Sequence, residues 1–130
     1  MSIYLDYNAS APIAPAVLQV MVDVYQNRSG NADSRTHSYG DEARAVVETA
    51  RKQVASLLGI SPSEVFFTSG ATESSNIAIQ GLAEYARRSG KRHIITSSIE
   101  HKAVLETVRA MERQGFDVDF VAPEPSGRID

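Results

Sequence analysis

Two apolar patterns alternate along this chain. One is spacing by three and four, which predicts helices. The other is short solid runs flanked by turn formers, which predict buried strands. Val17, Leu18, Met21, Val22 and Tyr25 follow the helical rhythm, and Pro12 and Pro15 precede them where proline suits a first helical turn. A second helix is expected from Tyr39. Its stripe is Ala43, Val46, Val47, Ala50, Val54, Leu57 and Leu58, and Gly59 stands where a C-cap glycine belongs. Ser61-Pro62-Ser63-Glu64 has capping-box spacing and predicts a single turn. A helix from Thr72 through Arg88 should end at Gly90. Another should open on a second capping box at Ser97-Ser98-Ile99-Glu100, carry Val104, Val108 and Met111 on its core face, and stop at Gly115. Strands are expected at residues 3–5, 65–67, 92–97 and 116–121.

Strand and helix alternating in this way call for a parallel sheet with crossover helices, an α/β architecture. Residues 27–38 are rich in turn formers and form a long connection, which is expected to be functional or mobile. Residues 122–130 look like a linker. Three core strands are few for a free-standing α/β domain, so the sequence reads as the front of something larger.

Composition narrows the function classes. The 130 residues are 42% hydrophobic and 22% charged, with net charge -3, as in an ordinary globular domain. No basic block invites nucleic acid or an anionic membrane, and no apolar run is long enough to span a bilayer. Arg87-Arg88-Ser89-Gly90-Lys91-Arg92 is basic, but cations complement a helix C-terminus, and no aromatic residues interleave them. The start of the chain lacks a signal-peptide pattern, so a cytoplasmic location is expected. The chain has no cysteine, which excludes thiolate metal sites and a cysteine nucleophile within these residues.

Candidate chemistry sits at two helix starts. Phe67-Thr68-Ser69-Gly70-Ala71-Thr72-Glu73 reads as a strand running through a small-residue turn into a helix. Unpaired N–H groups there attract phosphate, and Ser69 and Thr72 could add hydroxyls; an ordinary cap is the alternative. Neither a dinucleotide nor a nucleoside-triphosphate loop is present. His101 falls in the first turn of its helix, where the dipole favours a neutral ring able to stack on a flat cofactor and pass protons; a surface histidine is the plain alternative. His93 reads as structural, and His37 could be either. The histidines lack metal-ligand spacing with one another, so no metal site is expected. Asp6-Tyr7-Asn8-Ala9-Ser10 is either a turn or the lining of a cleft.

Four words then resemble one family in order. They are Tyr4-Leu5-Asp6-Tyr7-Asn8-Ala9; Gly30-Asn31 through His37 and Gly40; Thr68-Ser69-Gly70-Ala71-Thr72-Glu73 with Asn76; and His93-Ile94-Ile95-Thr96-Ser97 with Glu100-His101-Lys102-Ala103-Val104-Leu105. Together they resemble the N-terminal portion of the cysteine desulfurases, class V aminotransferase-like enzymes of fold type I that use pyridoxal 5'-phosphate (PLP). The resemblance implies an N-terminal arm, helix and loop over residues 1–38, and over residues 39–130 the first βαβαβ part of an incomplete large PLP-binding domain. It implies that Gly70, Ala71 and Thr72 bind the PLP phosphate, that His101 stacks on the ring and moves protons, and that Asn8 and Ala9 lie near substrate. Ala32 replaces the family's usual proline, and Asp33 adds a charge.

The family's Schiff-base lysine, pyridine-pairing aspartate and persulfide cysteine would fall beyond residue 130; Lys52, Lys91 and Lys102 stand at other places. The resemblance therefore implies an inactive segment of an enzyme that converts L-cysteine to L-alanine. Its expected partners are a second copy in a homodimer and a sulfur-acceptor protein, with no nucleic acid bound directly and no membrane. Iron–sulfur cluster assembly, tRNA thiolation and DNA phosphorothioation are all open as the sulfur's destination. The alternatives are another class V aminotransferase, a selenocysteine lyase, or a non-catalytic module that binds a partner chain.

Overall fold

The computed structural model describes residues 3–130, which divide into two compact units, residues 3–66 and 67–130. In the first unit, helix α1 (Pro15–Asn27) begins with Pro15 in its opening turn, where a missing N–H costs nothing. Helix α2 (Ser38–Leu58) ends on Gly59, whose φ of 67° is the left-handed geometry that closes a helix without a Cβ penalty. Ala43, Val46, Val47 and Ala50 of its stripe are half-buried and Ala55 is buried, but Leu57 is 85% exposed and Leu58 is also exposed. A single 3-10 turn (Pro62–Glu64) follows. Ser61 accepts from the Ser63 N–H, and Glu64 reaches back to the Ser61 N–H at 2.8 Å, completing the expected capping box.

The connection at residues 28–37 is tightly built. His37 Nδ1 accepts from the Gly40 N–H at 3.2 Å and caps α2, while Nε2 lies 3.0 Å from Ser34 Oγ. Arg44 donates to the carbonyls of Ala32 (3.0 Å) and Ser34 (2.6 Å). Gly40 is buried, and a Cβ there would lie 2.3 Å from the Ser34 carbonyl oxygen. His37, equivocal in the sequence, is thus a cap and a loop anchor.

The second unit holds helices α3 (Ala71–Gly81), α4 (Ala83–Ser89) and α5 (Lys102–Arg113), with strands β1 (His93–Ser97) and β2 (Asp117–Val121). The strands pair in parallel from His93↔Asp117 to Ser97↔Val121, as the alternating pattern requires. Met111, Phe116 and Ala83 form the core, with Ile79, Ala86 and Ile94 against it, and Val108 is also fully buried. Arg87 lies over the Phe116 ring and bonds Gln114, and Arg88 pairs with Glu84, so the basic stretch serves a helix end.

Three sequence expectations are corrected. Residues 3–5 and 65–67 form no strand, because the only ladder among the described residues is β1–β2; Val65 is buried but Phe66 is 78% exposed. The sheet therefore has two strands. The helix expected from residue 72 to 88 is interrupted at Leu82, next to Gly81, the residue least committed to helix. Ser97 and Glu100 do hydrogen-bond at 3.2 Å, yet they shape a turn, and α5 starts only after His101. Ile95 stands at the centre of β1, and its side chain is 66% exposed. Residues 122–130 fold back on themselves through a Glu124 N–H to Arg128 carbonyl bond. No helix among the described residues is long and apolar enough to cross a membrane.

Candidate functional site

The start of α3 is an unfinished cap. Its N-cap is Gly70, in extended backbone, with no side chain to cover the first turn. Glu73, three residues on, occupies the place from which a capping box reaches back. Its carboxylate takes the Ser69 N–H (2.6 Å) and the Ser69 hydroxyl (2.7 Å). These two donors, the backbone N–H first, hold the Glu73 carboxyl below the usual glutamate range. The N–H groups of Ala71, Thr72 and Glu73 donate to no acceptor among the described residues, and the Thr72 hydroxyl makes no hydrogen bond. Three open donors, a hydroxyl and the positive end of an eleven-residue helix form a site chemically suited to phosphate. A Cβ built on Gly70 would meet nothing within 4 Å, so the approach is open.

His101 is the N-cap of α5, one position before the first turn in which the spacing had placed it. Its Nδ1 accepts from the Ala103 N–H at 3.1 Å. That bond leaves Nδ1 without a proton, so the neutral ring carries its proton on Nε2, free to donate elsewhere.

Thr72 and His101 line the same groove of about 430 Å³ between α3 and α5, with Asn76, Gln80, Lys102 and Thr107 among its other walls. Lys102 has no ion-pair partner among the described residues. Thr107 is 4% exposed, and its hydroxyl lies 2.8 Å from both Asn76 Oδ1 and the Ala103 carbonyl. Asn76 in turn donates to the Thr72 carbonyl at 2.8 Å. Sequence reasoning missed Thr107; its one signal is a hydroxyl set into the apolar stripe of α5.

Asn8 and Ala9 lie in the first unit, in a turn where the Asp6 carbonyl accepts from the Ala9 and Ser10 N–H groups at 3.1 and 3.3 Å. The Tyr4 hydroxyl lies 2.8 Å from the Asp6 carbonyl oxygen and 3.0 Å from Ser10 Oγ. His93 sits at the start of β1 with Nε2 2.8 Å from an Asp119 carboxylate oxygen across the ladder, in keeping with a structural role.

The Aminotransferase class-V family profile matches residues 3–130. A cysteine desulfurase IscS from Vibrio cholerae serotype O1 (strain M66-2) is 51% identical over 132 residues, covering 100% of this chain and 32% of that protein. The crystal structure of DndA from Streptomyces lividans is similar at a TM-score of 0.81 and 50% identity, covering 98% of this chain and 36% of that one. The structure of SspA in complex with cysteine superposes at a TM-score of 0.86 with 43% identity, covering 99% and 37%. The chain thus spans about a third of the length of the relatives it matches.

Proposed function

The chain belongs to the class-V aminotransferase family, and from that premise we propose that it is the N-terminal part of a PLP-dependent cysteine desulfurase. The longer enzyme converts L-cysteine to L-alanine and passes the sulfur to its own cysteine thiol, then to an acceptor protein. The observation that carries the reading is the uncapped start of α3 opening onto the groove that His101 also lines. Relatives named cysteine desulfurase and a neighbour solved with cysteine support the substrate.

The residues present fit the cofactor. The open N–H groups of Ala71, Thr72 and Glu73, with Gly70 leaving room and the Thr72 hydroxyl, would hold the phosphate. His101, its ring fixed by the Ala103 N–H, would face the cofactor ring and could offer or accept a proton at Nε2. When bound, PLP supplies an electron sink for the substrate carbon. The enzyme works as a homodimer in the cytoplasm.

The test is made on the full-length protein, supplied with PLP and L-cysteine. Alanine and transferable sulfur should appear in equal amounts. Transamination of a keto acid without desulfuration would overturn the reading in favour of another class V activity, and preference for selenocysteine would favour a lyase. Residues 1–130 alone are expected to release no alanine.

A further inference from the structure

α3 and α5 are joined by one side-chain hydrogen bond among the described residues, from the Thr107 hydroxyl to Asn76 Oδ1 at 2.8 Å. Both ends of this link continue toward the site. On α3, Asn76 sits one turn after Thr72 and donates to its carbonyl. On α5, the Thr107 hydroxyl shares its single proton between Asn76 Oδ1 and the Ala103 carbonyl, and the N–H of Ala103 enters Nδ1 of His101. A continuous path therefore runs from the phosphate end of α3, through Asn76, Thr107 and Ala103, to the imidazole. Thr107 is buried, so its hydroxyl is spent on this path and not on solvent. Gln80 also donates to Asn76 Oδ1 at 2.9 Å, which fixes the amide's orientation.

Given the cofactor reading above, we propose that Thr107 and Asn76 are positioning residues that set the span between the phosphate-binding turn and the His101 ring. Neither is a catalytic residue. A phosphate needs only the end of α3, whereas PLP, with its phosphate on α3 and its ring against His101, needs α3 and α5 at a fixed separation. Loss of the link should weaken PLP and spare phosphate.

The experiment uses the full-length protein freed of cofactor. PLP affinity is read by absorbance titration, and inorganic phosphate affinity by phosphorus NMR titration. Thr107→Val, which keeps the shape and removes the donor, should weaken PLP about five- to tenfold, the loss typical of one hydrogen bond, and leave phosphate unchanged. Thr107→Ser should restore PLP affinity. Asn76→Ala removes the acceptor from the other side and should repeat the Thr107→Val pattern, which keeps the test open if one variant does not fold. Equal losses of PLP and phosphate would reduce the link to ordinary folding support and overturn the proposal. Unchanged PLP affinity would overturn it too, as would a Ser variant as weak as the Val variant. A wild-type protein that binds phosphate but no PLP would instead overturn the cofactor reading itself.

Discussion

Replacing Gly70 by aspartate should strengthen the fold and weaken cofactor binding. Gly70 is the N-cap of α3, its backbone is extended, and its Cβ direction is empty, so a side chain enters without strain. Aspartate would complete the cap that Glu73 leaves half made. Exchanging glycine for a good cap adds a few tenths of a kcal/mol, and a carboxylate at the positive helix end about 0.3–1 kcal/mol. The like charge of Glu73 takes back part of this, and the net effect remains stabilising. The same carboxylate would occupy the donors intended for phosphate.

At ~5 Å and an effective dielectric of ~20, each unit of charge on the phosphate is opposed by ~3 kcal/mol. Solvent and salt reduce this to about 1.5–3 kcal/mol in all at an exposed turn, a weakening of roughly 10- to 100-fold. Gly70→Ser, which caps without charge, should fall between wild type and Gly70→Asp in affinity. Urea unfolding of the cofactor-free full-length protein reads the first effect, and PLP titration the second. An aspartate variant that binds PLP as wild type does would refute the assignment of this turn to the phosphate.

Gly40→Ala should destabilise the protein by about 2 kcal/mol despite alanine's better helix propensity, because its Cβ would press on the Ser34 carbonyl oxygen 2.3 Å away. Chemical denaturation checks this, and hydrogen exchange should rise at residues 34–40. Glu73→Gln should alter stability at every pH above the ordinary glutamate range, mildly acidic solutions included. The carboxyl is held low by the Ser69 donors, so its contribution is present above the ordinary glutamate range and is lost as pH falls through its depressed value. Stability curves of variant and wild type should therefore converge in acid. His101→Asn preserves an N-cap but removes the imidazole, so turnover should fall about a hundredfold or more while the unfolding midpoint stays close to wild type.

Elements governed by neighbouring residues were legible in the sequence. Gly59, the Ser61–Glu64 turn, the Gly115 stop and the α5 stripe each depend on chemistry within a few positions, and each is where the pattern put it. The runs at residues 3–5 and 65–67 look like strands by residue type, but a strand exists only through a partner ladder, which local composition does not encode. The start of α5 was displaced because two local solutions compete. Ser97–Glu100 makes a real side-chain bond, and His101 makes the cap. The small-residue turn at Gly70 was visible, but the withdrawal of Glu73 onto Ser69, which leaves the donors open, is a matter of rotamer. The Asn76–Thr107 link joins residues 31 apart and has no sequence periodicity to betray it.

The parallel ladder also sets an order of events during folding. His93 and Asp117 are register partners, yet no tight hairpin can join parallel strands, so the intervening chain must first be shortened. α5 does this, turning Lys102–Arg113 into a rod of about 18 Å and lowering the entropy lost when the strands meet. Substitutions at Val108 or Met111, the buried face of α5, should thus slow folding as well as speed unfolding. Mutations confined to the outer face of β2 should act on the unfolding rate alone. The helix is the hinge pin of the second unit's assembly, and the strands close on it.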